Sequence, residues 1–199
     1  TWVTDWQIAP RSVSITNGMT MALPPEYVDC YTGMGQAGQR RGELDLQARR
    51  MLFGHPTVSA WSHLCGLPAN SEQMARIRHV IDLYKRLVRP MQRTSRIYHH
   101  TPELPGFDPH GWAVLELASA DRQRAIAGLF RLSDPAEPAY RLCFRGLDLS
   151  RRYVVTWDNS GDRCILDGYT LTKEGVPIRL EAALTSELLI VEAIEDGQG

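Results

Sequence analysis

The stretch Trp112-Ala113-Val114-Leu115-Glu116-Leu117-Ala118-Ser119-Ala120-Asp121-Arg122-Gln123-Arg124-Ala125-Ile126-Ala127-Gly128-Leu129-Phe130-Arg131-Leu132 decides the fold class of the second half of this chain. Two apolar runs, Trp112–Leu117 and Ala125–Leu132, flank a polar tip at Ser119–Gln123, the pattern of an antiparallel hairpin. Towards the C-terminus the same grammar repeats. A proline-bearing loop at Ser133–Pro138 precedes Tyr140–Phe144, and Tyr153–Asp158 is rich in β-branched and aromatic residues. Asn159-Ser160-Gly161-Asp162 reads as a turn, followed by Cys164–Leu166, Ile178–Leu180 and Leu188–Glu192. Short strands at this spacing, with turn signals between them, predict an antiparallel β-sandwich over residues 111–195.

Towards the N-terminus the period changes. From Ser71 to Gln92, Met74, Ile77, Ile81, Tyr84 and Val88 recur at helical spacing, with Val80 and Leu87 widening the stripe. Asn70 or Ser71 can cap the start, with Gln73 placed to answer Asn70, and Pro90 stops or kinks the end. A second helix is predicted over Glu43–Phe53, with Gly54 as its C-cap and Pro56 preventing continuation. Met19–Leu23 and Thr57–Trp61 read as short strands. The order strand, helix, strand, helix is that of an α/β layer with parallel strands. Arg93 to Pro109 carries three prolines, one glycine and no periodicity, so it reads as a connector. The expected organisation is an α/β part over 1–93, a linker over 94–110 and an all-β domain over 111–195.

A hydrophobic fraction of 43% and a charged fraction of 23% are those of a globular protein able to bury a core without metals or disulfides. A net charge of −1, with both signs mixed, builds no basic field for nucleic acid or an anionic membrane. No apolar run reaches the roughly 18–20 residues of a membrane span. Cys30, Cys65, Cys143 and Cys164 form neither a CxxC pair nor a zinc-spaced cluster with His. They read as partly buried free thiols, with a Cys143–Cys164 bridge as the alternative because both sit in strand-like runs. Such usage leans towards a reducing, cytoplasmic compartment. No cofactor or metal is called for. The opening Thr1-Trp2-Val3-Thr4-Asp5-Trp6 is not a signal peptide and reads like the middle of a domain, so upstream sequence is expected.

The first thirty residues carry a further signal. Thr4-Asp5-Trp6 is followed by Arg11, Gly18 and Pro24-Pro25-Glu26. Next come Leu44-Asp45-Leu46-Gln47-Ala48-Arg49-Arg50-Met51-Leu52-Phe53-Gly54 and Ile81-Asp82-Leu83-Tyr84-Lys85-Arg86. After them stand Arg145-Gly146-Leu147-Asp148 with Tyr153, Asp167-Gly168-Tyr169-Thr170-Leu171 with Gly175, and Ser186-Glu187-Leu188. In order and spacing these resemble the C-terminal part of glycoside hydrolase family 36, the α-galactosidase or melibiase-like enzymes. Two positions depart from the family's pattern. Val28-Asp29-Cys30-Tyr31 stands where a Met-Gly-x-His is usual, and Trp6 stands where a small residue usually follows the aspartate. Both mark a divergent branch.

The resemblance implies the last strands and helices of a (β/α)8 barrel followed by a C-terminal β-sandwich. It implies part of a retaining glycosidase acting on terminal α-linked galactose-type sugars. Such enzymes use two carboxyl groups about 5–5.5 Å apart, one as nucleophile and one as general acid/base. By resemblance Asp5 is the acid/base, at the C-terminal end of a barrel strand where barrel chemistry concentrates. Trp2 and Trp6 are apolar neighbours of the kind that raise a carboxyl pKa. Trp6 is also a candidate wall for stacking on a sugar face, and Arg11 a candidate substrate-binding residue. Read locally, Asp5 also suits a helix cap or a turn. The family's nucleophile motif, an aspartate after a Lys-x sequence, does not occur in these 199 residues. The implied partners are therefore a carbohydrate substrate, the upstream part of the same enzyme and a homo-oligomer.

The remaining candidates read as structure. His99-His100 lies in the connector as a surface pair, since adjacent side chains point apart and no carboxylate cluster accompanies them. Gly33-Met34-Gly35-Gln36-Ala37-Gly38 lacks the strand and acidic partner of a dinucleotide site and reads as a loop. Arg40-Arg41 and Arg49-Arg50 read as solvated pairs, and Trp112 and Trp157 as sandwich core. The competing reading is non-catalytic: a β-sandwich serving as a packing or carbohydrate-binding fragment of a larger or degenerate family member. Sequence upstream of Thr1 discriminates the two, since an aspartate-bearing barrel strand there favours the enzyme.

Overall fold

A computed structural model describes residues 9–33, 41–59, 71–104, 109–133 and 137–194. The first element is a helix, α1 (Arg11–Ala22), entered through a cis Ala9–Pro10 bond. Its buried positions Ser12, Val13, Thr16, Asn17 and Thr20 recur at helical spacing but are nearly all small and polar. Two hydroxyls are satisfied one turn back: Thr16 Oγ1 donates to the Ser12 carbonyl at 3.0 Å, and Thr20 Oγ1 to that of Thr16 at 2.8 Å. The strand expected at Met19–Leu23 is thus corrected. Met19–Ala22 is the last turn of α1, and Leu23 is its extended cap, donating its N–H to the Met19 carbonyl.

The parallel strands are β1 (Asp29–Gly33) and β2 (His55–Ser59), in register from Asp29 opposite His55 to Gly33 opposite Ser59. Between them runs α2 (Arg41–Arg50), tightened to a 3₁₀ turn over Met51–Phe53. Two parallel neighbours joined through a helix make a βαβ unit. All of Leu44–Gly54 is buried, so this stretch of α2 and the turn after it is enclosed despite its charged residues. Gly54 caps this segment in an extended conformation, not the left-handed one expected of a C-cap glycine. Its lack of a side chain serves packing: a Cβ there would collide with Cys30 Sγ and sit 2.7 Å from the Val28 carbonyl oxygen.

The long amphipathic helix is α3 (Ser71–Leu83), which continues through a π-type turn over Tyr84–Val88 into a last turn at Arg89–Met91. The widened turn lies just ahead of Pro90, whose ring would otherwise crowd the carbonyl one turn back and which has no N–H to offer it. Asn70 lies outside the described residues. No helix among the described residues is long and apolar enough to cross a membrane.

The second half forms a six-stranded antiparallel sheet in the order β3-β4-β5-β10-β7-β8. The predicted hairpin is β4 (Gly111–Ala118) and β5 (Arg124–Ser133); β7 (Arg152–Trp157), β8 (Arg163–Asp167) and β10 (Thr185–Ala193) complete the predicted set. One strand lies where a connector was expected: β3 (Arg96–His99) pairs with β4. A two-stranded ribbon, β6 (Ala139–Leu142) with β9 (Val176–Arg179), forms the opposing β layer. The antiparallel half is therefore as expected, with a second layer of only two strands. Cys30, Cys143 and Cys164 are free thiols, so the Cys143–Cys164 bridge is excluded; Cys65 lies outside the described residues.

The central strands are buried on both faces. Ala113, Leu115 and Leu117 of β4, Ile126, Phe130 and Leu132 of β5, and Leu188 and Ile190 of β10 join a core with α1, α2 and α3. The alternate residues Val114, Leu129, Leu189 and Val191 join a second core with Tyr153, Leu142 and Ile178, under the ribbon. Period-two alternation thus divides the strand residues between two cores. Phe53 joins the layers: it meets Phe130 edge to face at 6.2 Å, over Gly128, where a Cβ would sit 2.6 Å from the Phe53 ring. We expect Gly54→Ala to destabilise the protein by about 1–3 kcal/mol, the usual cost of forcing a methyl into a filled site. Urea denaturation measures it; an unchanged midpoint would show that the β1–α2 junction is not close-packed.

Candidate functional site

Sites in parallel α/β units lie beyond the C-terminal ends of the strands. Here those ends are Gly33 and Ser59, and they lead into residues 34–40 and 60–70. Asp5, Trp6, Trp2 and most of the Gly33–Gly38 string lie outside the described residues. Arg11 is described: it is the first residue of α1, two residues past the Ala9–Pro10 bond, and is exposed. Asp29 begins β1, and its Oδ1 accepts from Thr57 Oγ1 in the middle of β2. That hydrogen bond ties β1 to β2.

The described carboxylates nearest the helices are committed to structure. Asp158, at the end of β7, receives the Arg49 guanidinium through Nη2 at 2.6 Å and Nε at 3.1 Å, and its other oxygen meets His79 Nε2 at 2.6 Å. The Arg49 side chain has no exposure and that of Asp158 only 5%. Arg49 Nη1 donates further to the Ser186 carbonyl at 2.7 Å and to its hydroxyl. Burial opposes ionisation of Asp158. The Arg49 charge and the hydrogen bonds from Arg49 and His79 outweigh it and hold the carboxyl below its usual value. Neighbouring Glu187 goes the other way, pushed up by burial, although it accepts from the backbone N–H groups of Asn159 at 3.0 Å and Leu188 at 2.9 Å.

Arg50, read from sequence as solvated with Arg49, is also buried. Its Nη1 donates to Thr16 Oγ1 at 2.9 Å, linking α2 to α1, and burial lowers its pKa, partly opposed by Cys30 and Asp29. Cys30 has its pKa raised by the same burial, so the thiol form is favoured and no nucleophile is made. The expectation of two solvated arginines fails because this stretch of α2 is buried: both guanidiniums end among polar groups of neighbouring elements. Asp45 is likewise paired, accepting from Arg76 Nε of α3 at 2.6 Å.

The histidine pair is also corrected from surface loop to structure. His99 Nε2 meets Thr20 Oγ1 of α1 at 2.9 Å, and its pKa is lowered by burial and then by the neighbouring His100. The His100 side chain is 5% exposed and reaches Glu116 Oε2 at 2.8 Å. Glu116, fully buried in β4, also accepts the backbone N–H groups of Arg145 at 2.9 Å and Gly146 at 2.7 Å. A buried carboxylate with three donors is a satisfied anchor. The sequence signals were a glutamate inside an apolar run and two arginines placed directly before the apolar Met51-Leu52-Phe53. Trp112 and Trp157 pack at the edge of the second core, with Trp112 Nε1 donating to the Glu137 carbonyl at 2.8 Å.

A cavity of about 330 Å³ lies between Met91–Thr94 and the tip of the β4–β5 hairpin. Its one carboxylate, Asp121, is bonded to the Ser119 hydroxyl and the Gln123 N–H, and these bonds hold its pKa down. With no second acid in its lining, it cannot perform two-carboxylate chemistry. Among the described residues no group of three or more His, Cys, Asp or Glu side chains forms a metal site.

Comparisons with known proteins now place this architecture. Residues 112–191 match the family described as glycosyl hydrolase family 36 C-terminal domain. No curated protein matches the chain. Among solved structures, the α-galactosidase from Lactobacillus brevis superposes with a TM-score of 0.76 at 17% identity, covering 98% of this chain and 26% of that one. The family 36 α-galactosidase AgaB from Geobacillus stearothermophilus gives 0.71 at 18% identity, covering 96% and 25%. AgaA from the same organism gives 0.68 at 20% identity, covering 92% and 24%. The chain thus spans about a quarter of the length of these relatives and shares their fold over that part.

The Asp158 geometry sets a pH dependence. A carboxyl held below its unfolded value contributes stability above that value, and the contribution is lost as pH falls through the folded value. Asp158→Asn strands the buried Arg49 and should cost about 3–5 kcal/mol at neutral pH. It should also flatten the loss of stability below about pH 4. Urea midpoints across the acid range read both effects; an equally steep acid limb in the variant would exclude Asp158 as its source.

Proposed function

We propose that this chain, which carries the C-terminal domain of glycosyl hydrolase family 36 over residues 112–191, is the C-terminal quarter of a retaining glycosidase for terminal α-linked galactose-type sugars. The supporting observation is the extent of the likeness. It runs over 98% of the chain, through the βαβ unit and its helices as well as the antiparallel half, and ends within about a quarter of an α-galactosidase. On this reading β1, α2, β2 and α3 are the last barrel elements, and the antiparallel half closes behind them.

The chemistry then falls to residues ahead of α1. Asp5 stands just before the Pro10–Arg11 entry to that helix, where the chain leaves the preceding barrel strand on this reading. As general acid it protonates the departing glycosidic oxygen; as general base it then takes a proton from the water that releases the sugar. Trp6 offers an aromatic face to the sugar, and Arg11 lies one helical start away from the same opening. The nucleophilic carboxylate comes from sequence upstream of Thr1. Four of the described carboxylates, Asp158, Glu187, Glu116 and Asp45, are bound to partners within the fold and so serve structure on this reading.

The test uses the protein together with its upstream sequence. Asp5→Asn should lower kcat/KM for an alkyl α-galactoside by about 10²–10⁴-fold, the usual contribution of a positioned acid/base. With an activated aryl galactoside, azide should restore turnover and yield α-galactosyl azide, because azide needs no general base to attack a covalent intermediate. The 199-residue chain alone should hydrolyse neither substrate. Undiminished activity in the Asp5 variant, or robust turnover by the isolated chain, sinks the assignment.

A further inference from the structure

Helix α1 leans on its neighbours with polar side chains. Of its buried positions only Val13 is apolar; Ser12, Thr16, Asn17 and Thr20 are the rest. Apolar contact is non-directional and lets a helix slide or turn against its neighbour. Hydrogen bonds are directional and resist both motions. The rotation of α1 is therefore set by the bonds that this polar stripe makes to other parts of the chain. Arg50 Nη1 of α2 donates to Thr16 Oγ1 at 2.9 Å. Asn17 Nδ2 donates to the Pro102 carbonyl at 3.2 Å, and Thr20 Oγ1 meets His99 Nε2 at 2.9 Å.

The Arg50 bond lies nearest the start of α1 and has the firmest origin. Arg50 is 1% exposed and Thr16 not at all. Thr16 uses both halves of its hydroxyl, accepting from Arg50 and donating back to the Ser12 carbonyl at 3.0 Å. Consecutive residues of an α-helix point about 100° apart. Arg49 accordingly goes to the sheet, where Asp158 and Ser186 hold it, and Arg50 goes to α1. Helix α2 is thus a bracket between the sheet and α1. The entry to α1 moves with the helix: Ala9 shares an apolar cluster with Val13, and the Pro10 carbonyl accepts the N–H groups of Val13 at 3.1 Å and Ser14 at 3.4 Å. In the sequence only Trp6, Gln7 and Ile8 stand between Ala9 and Asp5.

We infer that Arg50 and Thr16 are positioning residues for the acid/base step: their bond fixes α1, and with it the point from which the chain presents Asp5 to the glycosidic oxygen. This rests on the assignment of Asp5 proposed above. Misplacing a reacting group by about 1 Å can cost about 10²-fold in rate.

The test uses the protein together with its upstream sequence. Thr16→Val exchanges the hydroxyl for a methyl and removes this acceptor from Arg50. For a methyl α-galactoside, whose departing oxygen needs a proton, kcat/KM should fall about tenfold or more. For a dinitrophenyl α-galactoside, whose leaving group needs no proton, it should stay within about twofold. A merely structural defect removes active protein and lowers both alike. Thr16→Ser, which keeps the hydroxyl, should recover most of the loss on the methyl galactoside. If Thr16→Val does not fold, Arg50→Lys decides the matter: it keeps the charge, loses the planar fork and should split the two substrates in the same way. Asp5→Asn is measured beside them. If it splits the substrates while Thr16→Val and Arg50→Lys lower both equally or neither, the positioning role is overturned and Asp5 stands. If Asp5→Asn itself shows no split, both assignments fall.

Discussion

The structure depends on one constraint: a helical stretch with charged residues has been enclosed. Leu44–Gly54 is buried throughout, yet it includes Asp45, Arg49 and Arg50. An unpaired charge there would cost several kcal/mol, so each must find a partner on whichever element covers it. Asp45 finds Arg76 on α3, Arg50 finds Thr16 on α1, and Arg49 finds Asp158 on β7 with Ser186 on β10. The set therefore fixes the order and rotation of three neighbours around α2. A pair such as Arg49–Asp158 adds little net stability over a well-packed apolar pair, because the desolvation of both charges offsets most of their attraction. What it contributes is specificity: any slip of α2 by one residue against the sheet leaves a guanidinium in a dry site.

The antiparallel half was legible because its strands obey a period of two and are separated by turn residues. The parts that were misread share one physical cause: their buried faces are polar. In α1 the inward stripe is Ser12, Val13, Thr16, Asn17 and Thr20, which carries helical spacing without hydrophobicity. Only the apolar end, Met19 to Leu23, stood out, and out of context it resembled a strand. The same holds for β3. Arg96–His99 carries no apolar run, and its place in the sheet is held by ladder bonds to β4 and by the two histidines reaching Thr20 and Glu116. Partners 79 and 16 residues away in the chain cannot be inferred from local pattern.

The motifs that carried the family resemblance turn out to be close approaches of backbone. Gly146 sits against Glu116 and Ala118, where a Cβ would also lie 3.0 Å from Tyr98. Gly168 abuts the Asp148 carbonyl, and Gly175 holds a φ of +79° beside Cys143. Asp148 and Asp167 accept backbone N–H groups of their own turns, from Ser150 and Thr170. Tyr153 takes the Asp148 N–H at 2.8 Å and donates to the Arg122 carbonyl at 2.9 Å, joining two loops. These residues identify a fold because few substitutions fit such contacts. They identify no chemistry, and the two acids in them are turn acceptors. That is why the candidate site was legible only as a resemblance at Asp5, Trp6 and Arg11, whereas the fold was legible from physical pattern.

The change of pattern near residue 93 marks a change of secondary structure, and the core continues across it. Val13, Leu46, Phe53 and Val80 from the helical half share one apolar cluster with Leu115, Ile126, Phe130 and Leu188 from the strands. A domain in the usual sense has a core of its own. Here the helical layer supplies one face of the six-stranded sheet with its cover, and the sheet supplies α2 with the partners of Arg49. Separating the two would expose a continuous apolar face on each side and strand a buried guanidinium on one of them. The antiparallel half therefore acts as the back wall against which these helices are set, and a disturbance at Asp158 reaches α2 directly through Arg49.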